Sequence, residues 1–510
     1  IAVRAAGINF RDVMVTLGVV PDRRGLGGEG AGVVLDVAGD VTSVAVGDRV
    51  LGLFEGAFGP VAVADARAVV PVPPGWTDPQ AAAVPIAFLT AWYGLVDLAG
   101  LTAGEKVLIH AATGGVGTAA VQIARHLGAE VYATASPAKH GVLQAMGIDA
   151  DHRASSRDLH FENAFPQVDV VLNSLAGDFT DASLRLLGDG GRFIEMGKTD
   201  IRDPEEIAAS HPGVHYRAYD VVSDAGLDRV SEMLPALAGL FTEGVLTAPP
   251  VQAWPLGKAR QALRHMSQAK HTGKLVLTIP PPLDPDGTIL ITGGTGTLGA
   301  LAAEHLITTH GITHLHLLSR RGPHAPGATE LTKHLTELGA TVTITATDAA
   351  DPTALRGVID GIDPDHPLTG VIHTAGITED AVVTSQTPDS LRHVWEAKAT
   401  TAANLHAATR HLPLALFTLY SSAAGTLGNP GQANYAAANA YLDALATTRH
   451  HTGLPGVSIA WGLWAATSTL TDDLTHADHA RMNRSGVSPL PTDHALALLD
   501  TAHRHGEPHL

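Results

Sequence analysis

Two stretches of the chain repeat one order: an apolar strand, a glycine-rich turn, an amphipathic helix, then a second apolar strand. The first is KVLIHAATGGVGTAAVQIARHLGAEVYATAS, from Lys106 to Ser136. The second is TILITGGTGTLGALAAEHLITTHGITHLHLLSRRG, from Thr288 to Gly322. A buried strand that enters a helix through glycines is the opening unit of a doubly wound, parallel-sheet α/β fold. The chain therefore reads as α/β with two Rossmann-type nucleotide-binding domains. Between them IPPPLDPDG is rich in Pro and Asp and has no periodicity, which marks residues 281–287 as a linker. Residues 1–95 and 212–280 carry short strands and many glycines without α/β alternation. They predict a β-rich substrate domain into which the first nucleotide-binding part, residues 96–211, is inserted. Residues 288–510 form the second domain.

The length of 510 residues agrees with two to four domains. With 33 Lys and Arg against 51 Asp and Glu the net charge is −18, a field that attracts neither nucleic acid nor an anionic membrane. There is no cysteine, which excludes disulfides, thiolate nucleophiles and Cys-bound zinc. No apolar run reaches the roughly 18 residues of a membrane span, and no secretory signal is evident, so a cytoplasmic location is expected. The chain opens on Ile1 and ends in HRHGEPHL, which suggests a piece of a longer protein. Its 28 histidines are scattered without an HExxH pattern and are expected in surface and core roles rather than on a metal.

At the first turn Gly114, Gly115 and Gly117 allow backbone amides to approach a pyrophosphate. The next strand ends at Ser136 and Lys139 rather than at an acid, which suits the extra phosphate of NADP. At the second turn Gly293, Gly296 and Gly299 supply the bend, the close approach and the helix packing. The strand after it ends in Ser319, Arg320 and Arg321, and paired guanidinium groups there indicate a 2′-phosphate. Asp348, after the following strand, is placed to meet the adenine. Further on, Ser422 and Tyr435 stand 13 apart, Asn439 follows Tyr435 by four on one helix face, and Lys398 precedes Ser422 by 24.

The segments GINFRDVMVTLG, GGEGAGVV, VPIAFLTAWYGL and ASSRDLHFE, with the first glycine motif, resemble the enoylreductase domain of modular type I polyketide synthases over residues 1–280. That resemblance implies a zinc-independent medium-chain reductase, since zinc-bearing relatives have His where Gly28 stands. It aligns Val20 with a position linked to the stereochemistry of α-protonation, and implies an R-type α-methyl outcome or no methyl to set. It aligns Lys139 with a lysine proposed as proton donor, which competes with the phosphate reading, and puts His160 where the lysine's aspartate partner would be. Asn9, Thr90 and Asn173 become candidates for lining the nicotinamide pocket.

The set Lys398, Ser422, Tyr435 and Asn439 resembles the ketoreductase domain of the same synthases, over residues 287–510. The implied chemistry makes Tyr435 the general acid, its pKa lowered by the Lys398 ammonium. Ser422 would bond the ketone oxygen, and Asn439 would hold the lysine or a relay water. Asp380, in Thr378-Glu379-Asp380, and Leu427, in place of a tryptophan eight before the tyrosine, imply a B-type, D-configured (R) hydroxyl. The whole resembles an enoylreductase–ketoreductase pair with two NADPH sites and no metal. Its expected partners are a phosphopantetheine-bound acyl chain on an acyl carrier protein and neighbouring domains including a dehydratase. The enoylreductase lacks a first strand or more, and the structural half of the ketoreductase that precedes it in the family is not seen. Two alternatives stand beside this: a free-standing quinone reductase–short-chain dehydrogenase fusion, and a non-catalytic, decayed module.

Overall fold

The computed structural model describes residues 1–20, 25–466 and 488–510. It divides into two compact units, Ile1–Ile279 and Pro280–Leu510.

In the first unit β1 (Ala2–Ile8), β2 (Gly30–Val33), β3 (Arg49–Gly52) and β4 (Val69–Pro71) form an antiparallel run. Next come β5 (Lys106–Ile109), β6 (Glu130–Ala135), β7 (Arg153–Ser155), β8 (Val168–Asn173), β9 (Leu187–Glu195) and β10 (His215–Ala218). These six make a parallel sheet in the order β10-β9-β8-β5-β6-β7. Finally β11 (Val251–Pro255) and β12 (Lys274–Thr278) return to the first sheet, whose order is β11-β12-β1-β2-β3-β4. β12 lies antiparallel to β1, with Ala5 opposite Thr278 and Ile8 opposite Leu275. The α/β part is thus an insertion between strands of one sheet.

The boundaries differ from the expected ones. β10 belongs to the parallel sheet, so that part runs past residue 211 to Ala218. The stretch after it is not β-rich throughout, because Gly226–Thr242 is a helix whose Val230, Met233, Leu234, Leu237 and Phe241 enter the core. Residues 78–98 are likewise helical and apolar, mean hydropathy 1.5, long and apolar enough to cross a membrane by length and composition. The absence of any such run was the expectation. Two-thirds of this stretch is buried within the unit, with Phe88, Leu89, Ala91 and Leu95 at zero exposure, so its apolarity is that of a core helix.

The second unit has β13 (Thr288–Thr292), β14 (His314–Ser319), β15 (Thr341–Ala346), β16 (Leu368–His373), β17 (Leu416–Ser422) and β18 (Val457–Trp461). All pair in parallel, in the order β15-β14-β13-β16-β17-β18. β13 is buried at every residue, as a central parallel strand covered on both faces must be. Both parallel sheets share one plan: counted from their own first strands, each has the order 3-2-1-4-5-6 of a Rossmann fold. In each, the chain reverses direction across the sheet beside the first strand, and a crevice opens there at the strands' carboxyl ends.

Candidate functional site

In both units the glycines shape the mouth of that crevice. A Cβ on Gly117 would lie 2.5 Å from the Ala111 carbonyl oxygen, and one on Gly299 would lie 2.5 Å from that of Gly293. Each helix can therefore begin against its strand only because these positions carry no side chain. Gly293 has φ +69° and turns the chain at the end of β13. Gly114 and Gly296 cap helices Gly115–His126 and Thr297–His310, whose first amide groups point outward. Gly115 faces the stem of Lys274, whose Cδ is 3.0 Å from where its Cβ would be. The structure fits a dinucleotide pyrophosphate at both turns.

Around the second turn the polar groups converge. Ser319 ends β14 with its hydroxyl accepting from the Gly322 amide at 3.0 Å. Arg320 and Arg321 follow it, both exposed. Asp348 is exposed and caps its own turn, accepting from the Ala350 amide at 3.0 Å. Lys398 sits in a widened helical turn, Glu396–Thr400, between helices Pro388–Trp395 and Thr401–Thr409. Such wide turns gather at functional sites. It is almost fully buried, and its ammonium donates to the Tyr420 carbonyl at 2.8 Å. Gly376 makes room for it, since a Cβ there would meet Lys398 Cε at 2.8 Å.

Tyr435, Asn439 and Asp443 recur at i, i+4 and i+8 on helix Ala433–His451, all buried. The Lys398 ammonium is 5.3 Å from the centre of the Tyr435 ring. Ser422 ends β17 and caps the short helix Ala423–Leu427, its oxygen accepting from the Ala424 amide at 3.2 Å. The Asn439 amide donates to the Tyr435 carbonyl at 2.8 Å, and its Oδ1 is buried with no hydrogen-bond partner among the described residues. Asp380 accepts from Gln432 at 2.9 Å, and the neighbouring Glu379 carbonyl accepts from Asn434 at 2.9 Å, which ties this segment to the start of the Tyr435 helix. Leu427 is 83% exposed.

The electrostatics correct one expectation. Burial pushes the Tyr435 phenol up overall, with Asn439 and Ser422 acting the other way. Burial instead brings Lys398 down to about 7, with Asp443 opposing. One residue with a part here was missed in the sequence. His373, fully buried at the end of β16, bridges Thr292 Oγ1 at 2.7 Å and the Lys398 carbonyl at 3.0 Å. Burial holds it neutral, near 3, so it links the glycine turn to the lysine as a fixed bridge. Its only sequence signal was a polar residue inside the apolar VIHTAG.

The first unit places its named residues differently. Lys139 donates to the carbonyls of Ala269 at 2.7 Å and His271 at 2.5 Å. Most of its hydrogen-bonding capacity is therefore turned to the chain, which disfavours both the phosphate role and the proton-donor role. Desolvation lowers its pKa, with Arg157 adding repulsion. His160 is exposed, and its carbonyl accepts from Asn163 and Ala164. Ser136 begins the turn Pro137–Lys139. Thr90 is buried and offers its carbonyl to Tyr219 at 2.7 Å. Asn173, fully buried, donates to Glu195 at 2.5 Å and to the Leu175 carbonyl at 2.8 Å. Burial raises Glu195 to about 7. Val20 lies in the turn after helix Phe10–Thr16, its amide reaching the Met14 carbonyl at 3.4 Å.

Beside the first unit's glycine turn lies a buried pair not singled out in the sequence. Lys274 on β12 meets Glu29, just before β2, at 2.7 Å, with side-chain exposures of 5% and 0%. Asn9 bonds both, donating to Glu29 at 2.7 Å and accepting from the Lys274 ammonium. The Ile86 amide completes the carboxylate at 2.7 Å.

Comparison with known proteins agrees with both halves. Residues 287–466 match the KR domain family, 1–74 the alcohol dehydrogenase GroES-like domain, and 148–277 a family described as zinc-binding dehydrogenase. Polyketide synthase GfsB of Streptomyces halstedii is 59% identical over 502 residues, 98% of this chain and 9% of its own length. Pikromycin polyketide synthase component PikAII of Streptomyces venezuelae is 53% identical, over all of this chain and 14% of its own length. The CurK enoyl reductase structure aligns with TM-score 0.52 and 38% identity over 55% of this chain and 90% of that one. The chain belongs to the enoylreductase–ketoreductase region of modular polyketide synthases. This reductase region is a small part of the relatives it matches. Escherichia coli quinone oxidoreductase complexed with NADPH shares the first fold at TM-score 0.50 and 26% identity, over 55% of this chain. The zinc in one family's description does not fit the donors here. The reductase region has no cysteine, and among the described residues no trio of His, Asp or Glu converges in the first unit.

Proposed function

We propose that the second unit reduces carrier-bound β-ketoacyl thioesters to D-configured β-hydroxyacyl thioesters, as a B-type ketoreductase. The first unit reduces the α,β-enoyl thioester that a dehydratase makes from such an alcohol. Both work in the cytoplasm, and neither reaction uses a metal at its reacting atoms. The single observation that carries this reading is the burial of Tyr435 beside Lys398, with Ser422 and Asn439 on adjoining elements. The glycine turns and, in the second unit, Ser319, Arg320 and Arg321 would hold NADPH, which would supply the hydride in both reactions.

The chain's own residues do the rest. Ser422 accepts from the Ala424 amide, so its O–H remains available to donate to the ketone oxygen. Tyr435 gives that oxygen its proton. Burial keeps the phenol protonated, the form a donor needs. Lys398, near pH 7 in its own titration, stabilises charge on the phenolate left behind. The buried acceptor of Asn439 receives the lysine N–H or a relay water that restores the proton. Asp380, close enough to act on the Tyr435 phenol, and the exposed Leu427 orient the substrate. In the first unit Lys274, Glu29 and Asn9 hold the β-rich sheet's ends at the pocket. Val20 sets its α-carbon outcome, while Thr90 and Asn173 hold its walls.

The test is NADPH oxidation with a β-ketoacyl pantetheine thioester, comparing the native chain with Tyr435→Phe. A loss of about a hundredfold to ten-thousandfold is expected, with enoyl-thioester reduction unchanged. Chirality of the product tests the B-type assignment. Turnover of small quinones with no gain from a pantetheine arm would favour the free-standing fusion instead. A folded, NADPH-binding chain with no turnover of either thioester would indicate a decayed module.

A further inference from the structure

The 28 histidines are scattered in the sequence, but the fold of the second unit gathers two of them. His305 and His310 lie on helix Thr297–His310, and Asp500 lies on helix Thr492–His505. His305 Nε2 is 3.1 Å from each Asp500 oxygen, and His310 Nε2 is 2.8 Å from Oδ1. One donor atom from each of the three residues lies within 4.8 Å of the others. We propose that His305, His310 and Asp500 form a binding site for a late first-row divalent cation, with zinc the expected occupant.

The geometry meets the demands of such an ion. Zinc takes imidazole nitrogen and carboxylate oxygen at about 2.0–2.2 Å, so tetrahedral donors stand about 3.3 Å apart. The pairs involving Asp500 already stand at 2.8 to 3.1 Å, and small rotations open them. The two rings meet edge to face, centroids 5.4 Å apart at 81°, as two imidazoles converging on one point do. Thr309 Oγ1 stands 3.2 Å from His305 Nδ1, the outer contact that fixes which ring nitrogen faces a metal. Side-chain exposures of 11%, 27% and 15% place the trio just below the surface, open on one side to a water as fourth ligand. Donors of nitrogen and oxygen alone suit zinc, nickel and cobalt better than softer ions. The nearby His503 is not a ligand, because its Nε2 is engaged with Thr418 Oγ1 at 3.1 Å.

The site has a structural reason to matter. Helix Thr297–His310 begins at the glycine turn and ends at His310. A cation there would tie that helix's far end to helix Thr492–His505, and so hold the turn's geometry from behind.

The experiment strips the native chain with a chelator, then titrates it with cobalt(II) and with zinc. The expected result is one equivalent of cobalt with the d–d absorption of a four- or five-coordinate site, displaced by zinc, and a melting temperature raised by zinc. His310→Ala, which alters the most exposed of the three, is expected to weaken binding roughly a hundredfold and to abolish the zinc-dependent rise. Asp500→Asn is read the same way, with NADPH fluorescence of the metal-free variants confirming that they fold. No stoichiometric binding to the native chain overturns the proposal, and the trio is then a hydrogen-bonded clasp. Binding undiminished in a folded His310→Ala chain overturns it equally, since the metal is then held by other histidines.

Discussion

The two nucleotide-binding folds have one strand order and the same close-packed glycine turn, yet they organise their buried polar groups in opposite ways. Each has a fully buried, neutral histidine beside its first turn. In the first unit His110 bonds the hydroxyls of Thr134 and Ser183, both at 2.8 Å, and so joins strand to helix. In the second, His373 joins the glycine turn to the carbonyl of Lys398. The second unit thus brings Lys398, Ser422, Tyr435 and Asn439 together within one α/β framework, from a widened helical turn, a strand end and one long helix. In the first unit the buried charged pair, Lys274 and Glu29, lies instead in the β-rich sheet, with the Lys274 stem against Gly115 of the nucleotide fold. The difference suggests that a short-chain-type reductase carries its chemistry inside the nucleotide fold, whereas a medium-chain type has to recruit a second sheet to complete the pocket.

The sharpest way to break this contrast is Lys274→Met. It leaves Glu29 buried without its cation, and loss of one partner of such a pair costs about 3–5 kcal/mol. Faster hydrogen exchange at β1 and β12 is expected, with the second unit unchanged. Lys274→Met with Glu29→Gln should recover part of the loss. Equal loosening of both units would refute the fastening role.

Next come the glycines. Gly117→Ala and Gly299→Ala each drive a Cβ against backbone, an overpacking of about 1–3 kcal/mol. Each is expected to weaken NADPH binding and turnover in its own unit only, measured with enoyl and ketoacyl thioesters in parallel. An effect on both activities from either change would contradict two independent sites.

Lys398 sharpens the comparison through pH. Folding lowers it from its ordinary 10.5 to about 7, so the ammonium is lost as pH rises through about 7. The free-enzyme kcat/KM for ketoreduction is expected to fall on that limb, close to tenfold per pH unit, and the limb should vanish in Lys398→Met. Stability runs the other way. Between about pH 7 and 10.5 the unfolded chain holds the extra proton, so the second unit gains stability as pH rises across that window. A flat rate profile would show that the lysine's charge is not needed.

The smallest effect separates the two phosphate readings. Arg320→Ala and Arg321→Ala are expected to raise KM for NADPH roughly tenfold, about the worth of one charged hydrogen bond, with little change for NADH. Lys139→Ala, whose ammonium serves the loop at 269–271, should leave the NADPH to NADH ratio of enoyl reduction almost unmoved.

The sequence displayed what is local. The glycine turns, the Tyr435–Asn439 pair and the arginines after β14 were legible because each depends on residues within one turn or one strand end. The Lys274–Glu29 pair was not, because its members stand 245 residues apart and meet only when β12 reaches β1. The carbonyl partners of Lys139 were hidden for the same reason, since they come from 130 and 132 residues away. The lowering expected for Tyr435 failed because proximity to an ammonium counts for less than the burial both groups share. The boundary at residue 211 missed β10, an edge strand too short at four residues to show a pattern.

The pairing of β1 with β12 also sets a clock. On the ribosome β1 emerges some 266 residues before its partner's first residue, Lys274, can reach it. At about 5–20 residues per second that is on the order of ten seconds to a minute. Through that interval one edge of β1 offers unpaired amides and carbonyls to any other strand in reach. The inserted α/β part can form first and bring the two ends together. The order of synthesis therefore makes the first nucleotide fold a chaperone for the sheet it interrupts.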